Sequence, residues 1–152
     1  MIRNLVTGLP VMFLCLILQA SFVTTLLHCN SRFELAERAR GSQWREILLL
    51  SMVMFLMLLS NIAQMAIWAA LFLLLGEFDD FATALYHSAV NFVTLGYGDI
   101  VMTEPWRLLG PLEAVNGILM FGVSTAVMTA AVLDVVKQRT ANAGPRDGAD
   151  IS

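Results

Sequence analysis

Charge is what this 152-residue chain has least of: only 14% of its residues are charged, against 58% hydrophobic and a mean hydropathy of +0.74. A soluble domain of this size cannot cover its surface with so few charges, so the apolar excess must face lipid. Basic residues are outnumbered as well, nine to twelve. That balance leaves no basic stripe to neutralise phosphates and excludes nucleic acid as a partner. The two cysteines, Cys15 and Cys29, have neither CxxC spacing nor a set of other sulfur or imidazole ligands nearby, which argues against a metal centre or a disulfide framework.

The long apolar runs number three. Residues 9–28 are interrupted only by neutral polar side chains, residues 47–75 contain no charge, and residues 108–136 carry one carboxylate near each end, Glu113 and Asp134. Each exceeds or approaches the ~20 residues that cross a hydrocarbon core. The first is too long for a usual secretory h-region and is followed by a basic loop, which favours a retained span over a cleaved signal. Between the second and third runs, residues 81–93 are apolar but too short to span, and read as a re-entrant helix. Asp79 and Asp80 precede it, where carboxylates cap free amides. Gly96 and Gly98 follow it and forbid its simple continuation.

Arg32, Arg38, Arg40 and Arg45 lie in the first loop, and Lys137, Arg139 and Arg146 follow the last run. Those seven are expected on the cytoplasmic side, giving an outside N-terminus and an inside C-terminus. The mixed-sign segment 31–46 reads either as an interfacial helix or as a solvated linker. The tail 137–152 lacks hydrophobic periodicity and is expected to be disordered.

At the membrane break stands Thr94-Leu95-Gly96-Tyr97-Gly98-Asp99. Consecutive backbone carbonyls can replace the hydration shell of a monovalent cation, provided that alternate residues adopt conformations that side chains disfavour; the two glycines supply these. The Thr94 hydroxyl adds a further oxygen. A glycine turn between buried helices is the bland alternative, but it would not require the flanking Thr and Asp, the short helix and two spans together.

Residues 84–99 resemble the pore helix and selectivity filter of the potassium channel family, and the resemblance extends over residues 47–136. It implies an all-α membrane protein with three transmembrane helices plus a re-entrant pore helix and filter per subunit, assembled as a tetrameric pore. The implied organisation is an additional N-terminal helix (1–30), a basic linker (31–46), a pore module (outer helix 47–75, pore helix 81–93, filter 94–99, inner helix 108–136) and a tail (137–152). It further implies potassium sites at Thr94, Leu95, Gly96 and Tyr97, with Gly98 completing the filter and Tyr86, His87 and Asp99 supporting it from behind. The family's inner-helix bend falls near Gly117, with Gly122 the second choice. Leu95 replaces the usual Val, Val93 a common second Thr, and Val90 a carboxylate found in some bacterial members.

The expectation is thus a homotetrameric channel, not an enzyme, in a bacterial inner membrane. It would pass potassium ions, contact membrane lipid and use no organic cofactor. The alternatives are a weakly selective cation channel and a nonconducting interaction subunit. His87 reads as a packed aromatic cuff residue before it reads as a pH sensor. Glu113 shares a face with Asn116, and is either an intramembrane functional-site candidate or a carboxylate near the outer end that reaches water. Asp134 ends a stripe with Asn116, Met120, Val123 and Val127, which suggests a carboxylate ring at the inner mouth; pairing on a solvated helix end is the competing reading.

Overall fold

The computed structural model describes residues 1–36 and 43–142. Four helices follow one another: α1 (Ile2–Ala36), α2 (Gln43–Leu74), α3 (Phe81–Phe92) and α4 (Leu109–Asn142), with no strand among the described residues. Three of them contain segments long and apolar enough to cross a membrane, Ile2–Leu26, Glu46–Leu74 and Leu109–Lys137. The protein is all-helical and multi-pass.

The spans are built inside out relative to a soluble bundle. On α1 the buried positions are Asn4, Gly8, Cys15 and Gln19, a polar and small-residue stripe, while Leu9, Phe13, Leu16 and Ile17 are exposed. Lipid offers apolar side chains no reason to hide, so helices associate through close backbone approach and interhelical hydrogen bonds. Gly8 allows the approach: a Cβ there would stand 3.0 Å from Leu112 and 3.2 Å from Leu109 of α4. Gln19 supplies the hydrogen bonds. Its Oε1 accepts from Ser60 Oγ (2.6 Å) and Gln64 Nε2 (2.8 Å) of α2, and its Nε2 donates to Ser124 Oγ of α4 (3.3 Å). Ser21, Thr24 and Thr25, which face outward, return their hydroxyl protons to carbonyls one turn earlier, so each of these hydroxyls has a partner.

Helix α2 ends where Gly76 takes a φ of +72°; the Gly76 amide donates to the Leu73 carbonyl and the Glu77 amide to that of Phe72, a Schellman closure. Helix α3 starts at Asp80, whose carboxylate accepts from the Thr83 amide (2.9 Å) and hydroxyl (2.6 Å). Those bonds hold the Asp80 carboxyl below its usual range.

Two expectations need correcting. Residues 31–36 continue α1 and residues 43–46 begin α2, so the separate segment expected over 31–46 shrinks; residues 37–42 lie outside the described residues. Residues 137–142 continue α4, while 143–152 lie outside the description. In both places a helix already nucleated within an apolar span propagates past its end, because adding one residue to an existing helix is far easier than starting one.

Candidate functional site

The short helix α3 is cradled by α2 and α4 and delivers the chain to residues 94–98. Its last carbonyls receive the amides that follow: Val93 donates to Ala89, Thr94 to Asn91 (2.9 Å) and Leu95 to Val90 (2.9 Å). From there φ is positive at Thr94 (+62°), Gly96 (+57°) and Gly98 (+74°) and not at Leu95 or Tyr97. Such alternation turns successive peptide planes the same way, with carbonyls along one side of the strand and amides along the other. For a β-branched threonine the left-handed region costs about 1–3 kcal/mol, which the anchored residues on either side must hold in place. At Gly96 and Gly98 an added Cβ would meet no atom within 4 Å, so backbone conformation and not space selects glycine there. All of residues 94–99 are exposed in the single subunit, Tyr97 by 66%. Within the single subunit this segment is covered by no other element.

Behind it lie the support residues. Tyr86 Oη donates to Asp99 Oδ2 at 2.7 Å, the bond expected for this pair; it holds the Asp99 carboxyl below, and the Tyr86 phenol above, their ordinary ranges. His87 is buried, packed edge-on against Phe72 (5.5 Å between centroids) and beside Phe78 (5.0 Å). Its Nδ1 donates to the Ile100 carbonyl (3.1 Å), which can only accept, so Nε2 is the acceptor and receives the Asn91 amide (2.8 Å). Burial pushes this imidazole below its usual 6.5. The ring is a neutral brace between pore helix and post-filter loop.

Two further anchors were not read from the sequence. Glu77 accepts both the amide (2.7 Å) and the hydroxyl (2.5 Å) of Thr103. Arg3, at the start of α1, stacks 4.2 Å over the Trp106 ring and donates to the Pro105 carbonyl. The N-terminus therefore sits at the filter end. Nothing local announces such pairings, because the partners are 26 and 103 positions apart and meet only through the fold.

The inner-helix candidates fall differently. Gly117 is a packing residue: a Cβ would stand 1.9 Å from the Phe92 carbonyl oxygen of the pore helix. Gly122 faces open space, and α4 runs as one helix from Leu109 to Asn142 through both positions. The stripe ending at Asp134 runs from buried to accessible positions, with Val123 38% exposed. Asn116 and Met120 are fully buried, and Val123, Val127 and Asp134 line a cleft of about 720 Å³ between α1, α2 and α4, which Glu46 and Lys137 also line. Helical spacing groups residues on one face but does not say which way that face turns.

Residues 62–134, from within α2 through α3 and the exposed strand to most of α4, match the family described as ion channel. That match supports a potassium channel family module over this stretch and indicates an ion channel. No curated protein and no solved structure matches the chain. Helix α1 lies wholly outside the matched stretch in sequence yet is hydrogen-bonded into it through Gln19.

Proposed function

We propose that this protein is a potassium-selective channel in which four copies of the chain bring their 94–98 strands around one axis. The carbonyls of Thr94, Leu95, Gly96 and Tyr97, with the Thr94 hydroxyl, form a queue of dehydrated potassium sites, and Gly98 and Asp99 lead to the outer opening. Passive flow follows because each site replaces the hydration shell without holding the ion tightly. The observation that carries this reading is the alternating backbone of an exposed strand whose rear is tied down at Tyr86–Asp99 and His87–Ile100. One strand cannot surround an ion, which is why the oxygens are unspent within the subunit.

The distribution of basic residues supports an N-terminus outside and a C-terminus in the cytoplasm, in a bacterial inner membrane. Purified protein reconstituted alone into liposomes should release potassium down its gradient without added subunits. Release of sodium at a similar rate would favour a weakly selective cation channel, in keeping with Leu95 and Val93 at their positions. No release of either ion from correctly inserted protein would favour a nonconducting subunit.

A further inference from the structure

The pore helix meets α4 along one seam. Gly110, Glu113 and Gly117 are spaced by three and four residues and share a face. Gly110 lies against the Asn91 side chain, and Gly117 against the Phe92 carbonyl. With glycine on either side, the α4 backbone comes close enough for Glu113 to bond Ser88 of α3. Glu113 and Ser88 are both at 0% exposure.

Protons can be counted at Ser88. Its hydroxyl carries a single hydrogen. One neighbour, 2.8 Å away, is the Met65 carbonyl of α2, which can only accept. The other is Glu113 Oε1. Were that carboxyl ionised, both neighbours would be acceptors competing for one hydrogen, and lone pairs would be pressed together in a site closed to water. A carboxylic acid resolves the conflict: Glu113 donates to Ser88, and Ser88 donates onward to Met65. Glu113 Oε2 has no hydrogen-bond partner, a far smaller burial cost for a neutral carbonyl oxygen than for a share of a full charge. The groups facing Glu113 are Ser88 and Asn91 from α3 and the Cys15 thiol from α1, together with the Met65 carbonyl relayed through Ser88 from α2. None of these is a cation that would hold a carboxylate. His87, the neighbour of Ser88 in sequence, has both ring nitrogens engaged by Ile100 and Asn91.

We infer that Glu113 is a neutral carboxylic acid whose proton fastens the pore helix to α4 and, through Ser88, to α2, making it a positioning residue for the strand that α3 carries. Its effect on conduction rests on the reading of residues 94–98 as the ion path; the state of the carboxyl does not.

The test uses the full chain in lipid vesicles. Infrared spectra at neutral pH should show a carboxylic-acid C=O band that disappears in Glu113→Gln and shifts in Ser88→Ala. A wild-type spectrum with no such band overturns the inference, whether or not the vesicles conduct. In flux, Glu113→Gln, whose amide can still donate to Ser88, should stay within about twofold of wild type, and Glu113→Ala should fall about tenfold. Raising the pH should reduce wild-type flux on the alkaline side and leave Glu113→Gln unaffected; identical alkaline profiles overturn the positioning role. Vesicles that show the band but never conduct would contradict the channel reading and leave the protonated carboxyl supported.

Discussion

At the filter end, side chains cross between elements at every level: Arg3 to Trp106, Glu77 to Thr103, Tyr86 to Asp99, His87 to Ile100 and Glu113 to Ser88. At the far end, an apolar cleft of about 720 Å³ opens between α1, α2 and α4, and the polar link across α2 and α4 is the exposed pair Arg139–Glu46 (Nε to Oε2, 2.7 Å). The same helices are thus knitted at one end and loosely closed at the other. A strand that must keep its oxygens in fixed positions needs the first kind of environment. Helix ends left to slide against lipid or a neighbouring subunit suit the second.

The sharpest way to break that comparison is a methyl group at each of two glycines on one helix. Gly117→Ala forces a Cβ into the Phe92 carbonyl and should destabilise the subunit by about 1–3 kcal/mol or more. Gly122→Ala meets nothing and should be neutral, or stabilising by up to about 1 kcal/mol from helix propensity. Thermal unfolding in detergent checks both, and equal melting temperatures for the two variants would refute the knitted-end picture.

A smaller effect is expected from Tyr86→Phe, which removes the donor to Asp99 and leaves the fold in place. Single-channel recordings should show altered open probability or drift over time; records matching wild type would mean that the bond does not steady the strand.

Acid should act at His87 next. Its folded-state pKa is depressed below 6.5, so the unfolded chain binds more protons in the window just below that value, and stability is lost as pH falls through it. Charging the ring would also set Nε2–H against the Asn91 amide. Asp99 has the same sign, but its contribution is lost only below the ordinary carboxylate range. The acid limb near pH 6.5 should vanish in His87→Phe; an unchanged limb in that variant would assign it elsewhere.

The least effect is expected at the far end, where Glu46→Gln should leave the melting temperature unchanged in ordinary salt, since exposed ion pairs contribute little. A large drop would show that this end is held more firmly than its geometry indicates.

What could be read from the sequence was local. Asp80 as a helix cap, residues 81–93 as a short helix and glycine at 96 and 98 all follow from chemistry within a few positions, and the structure shows the cap, a helix over Phe81–Phe92 and the positive φ values. Pairings across helices were not legible. Gln19 was visible only as a polar break in an apolar run, because its partners Ser60, Gln64 and Ser124 depend on the register of three helices. At Gly117 the sequence offered a bend site, while the close approach of the Phe92 carbonyl could not be read from it, because glycine marks freedom or closeness alike. The stripe ending at Asp134 was legible as one helical face, but the cleft that Val123, Val127 and Asp134 line between α1, α2 and α4 was not.

The central claim is that the backbone of residues 94–98 selects potassium, and the reversal potential of a membrane containing the purified protein, with potassium on one side and sodium on the other, tests it most directly. The account predicts a strongly potassium-selective potential for wild type, lost together with selective current in Gly96→Ala, where a side chain opposes the required positive φ. A wild-type potential near zero, or one that Gly96→Ala leaves unchanged, would contradict it.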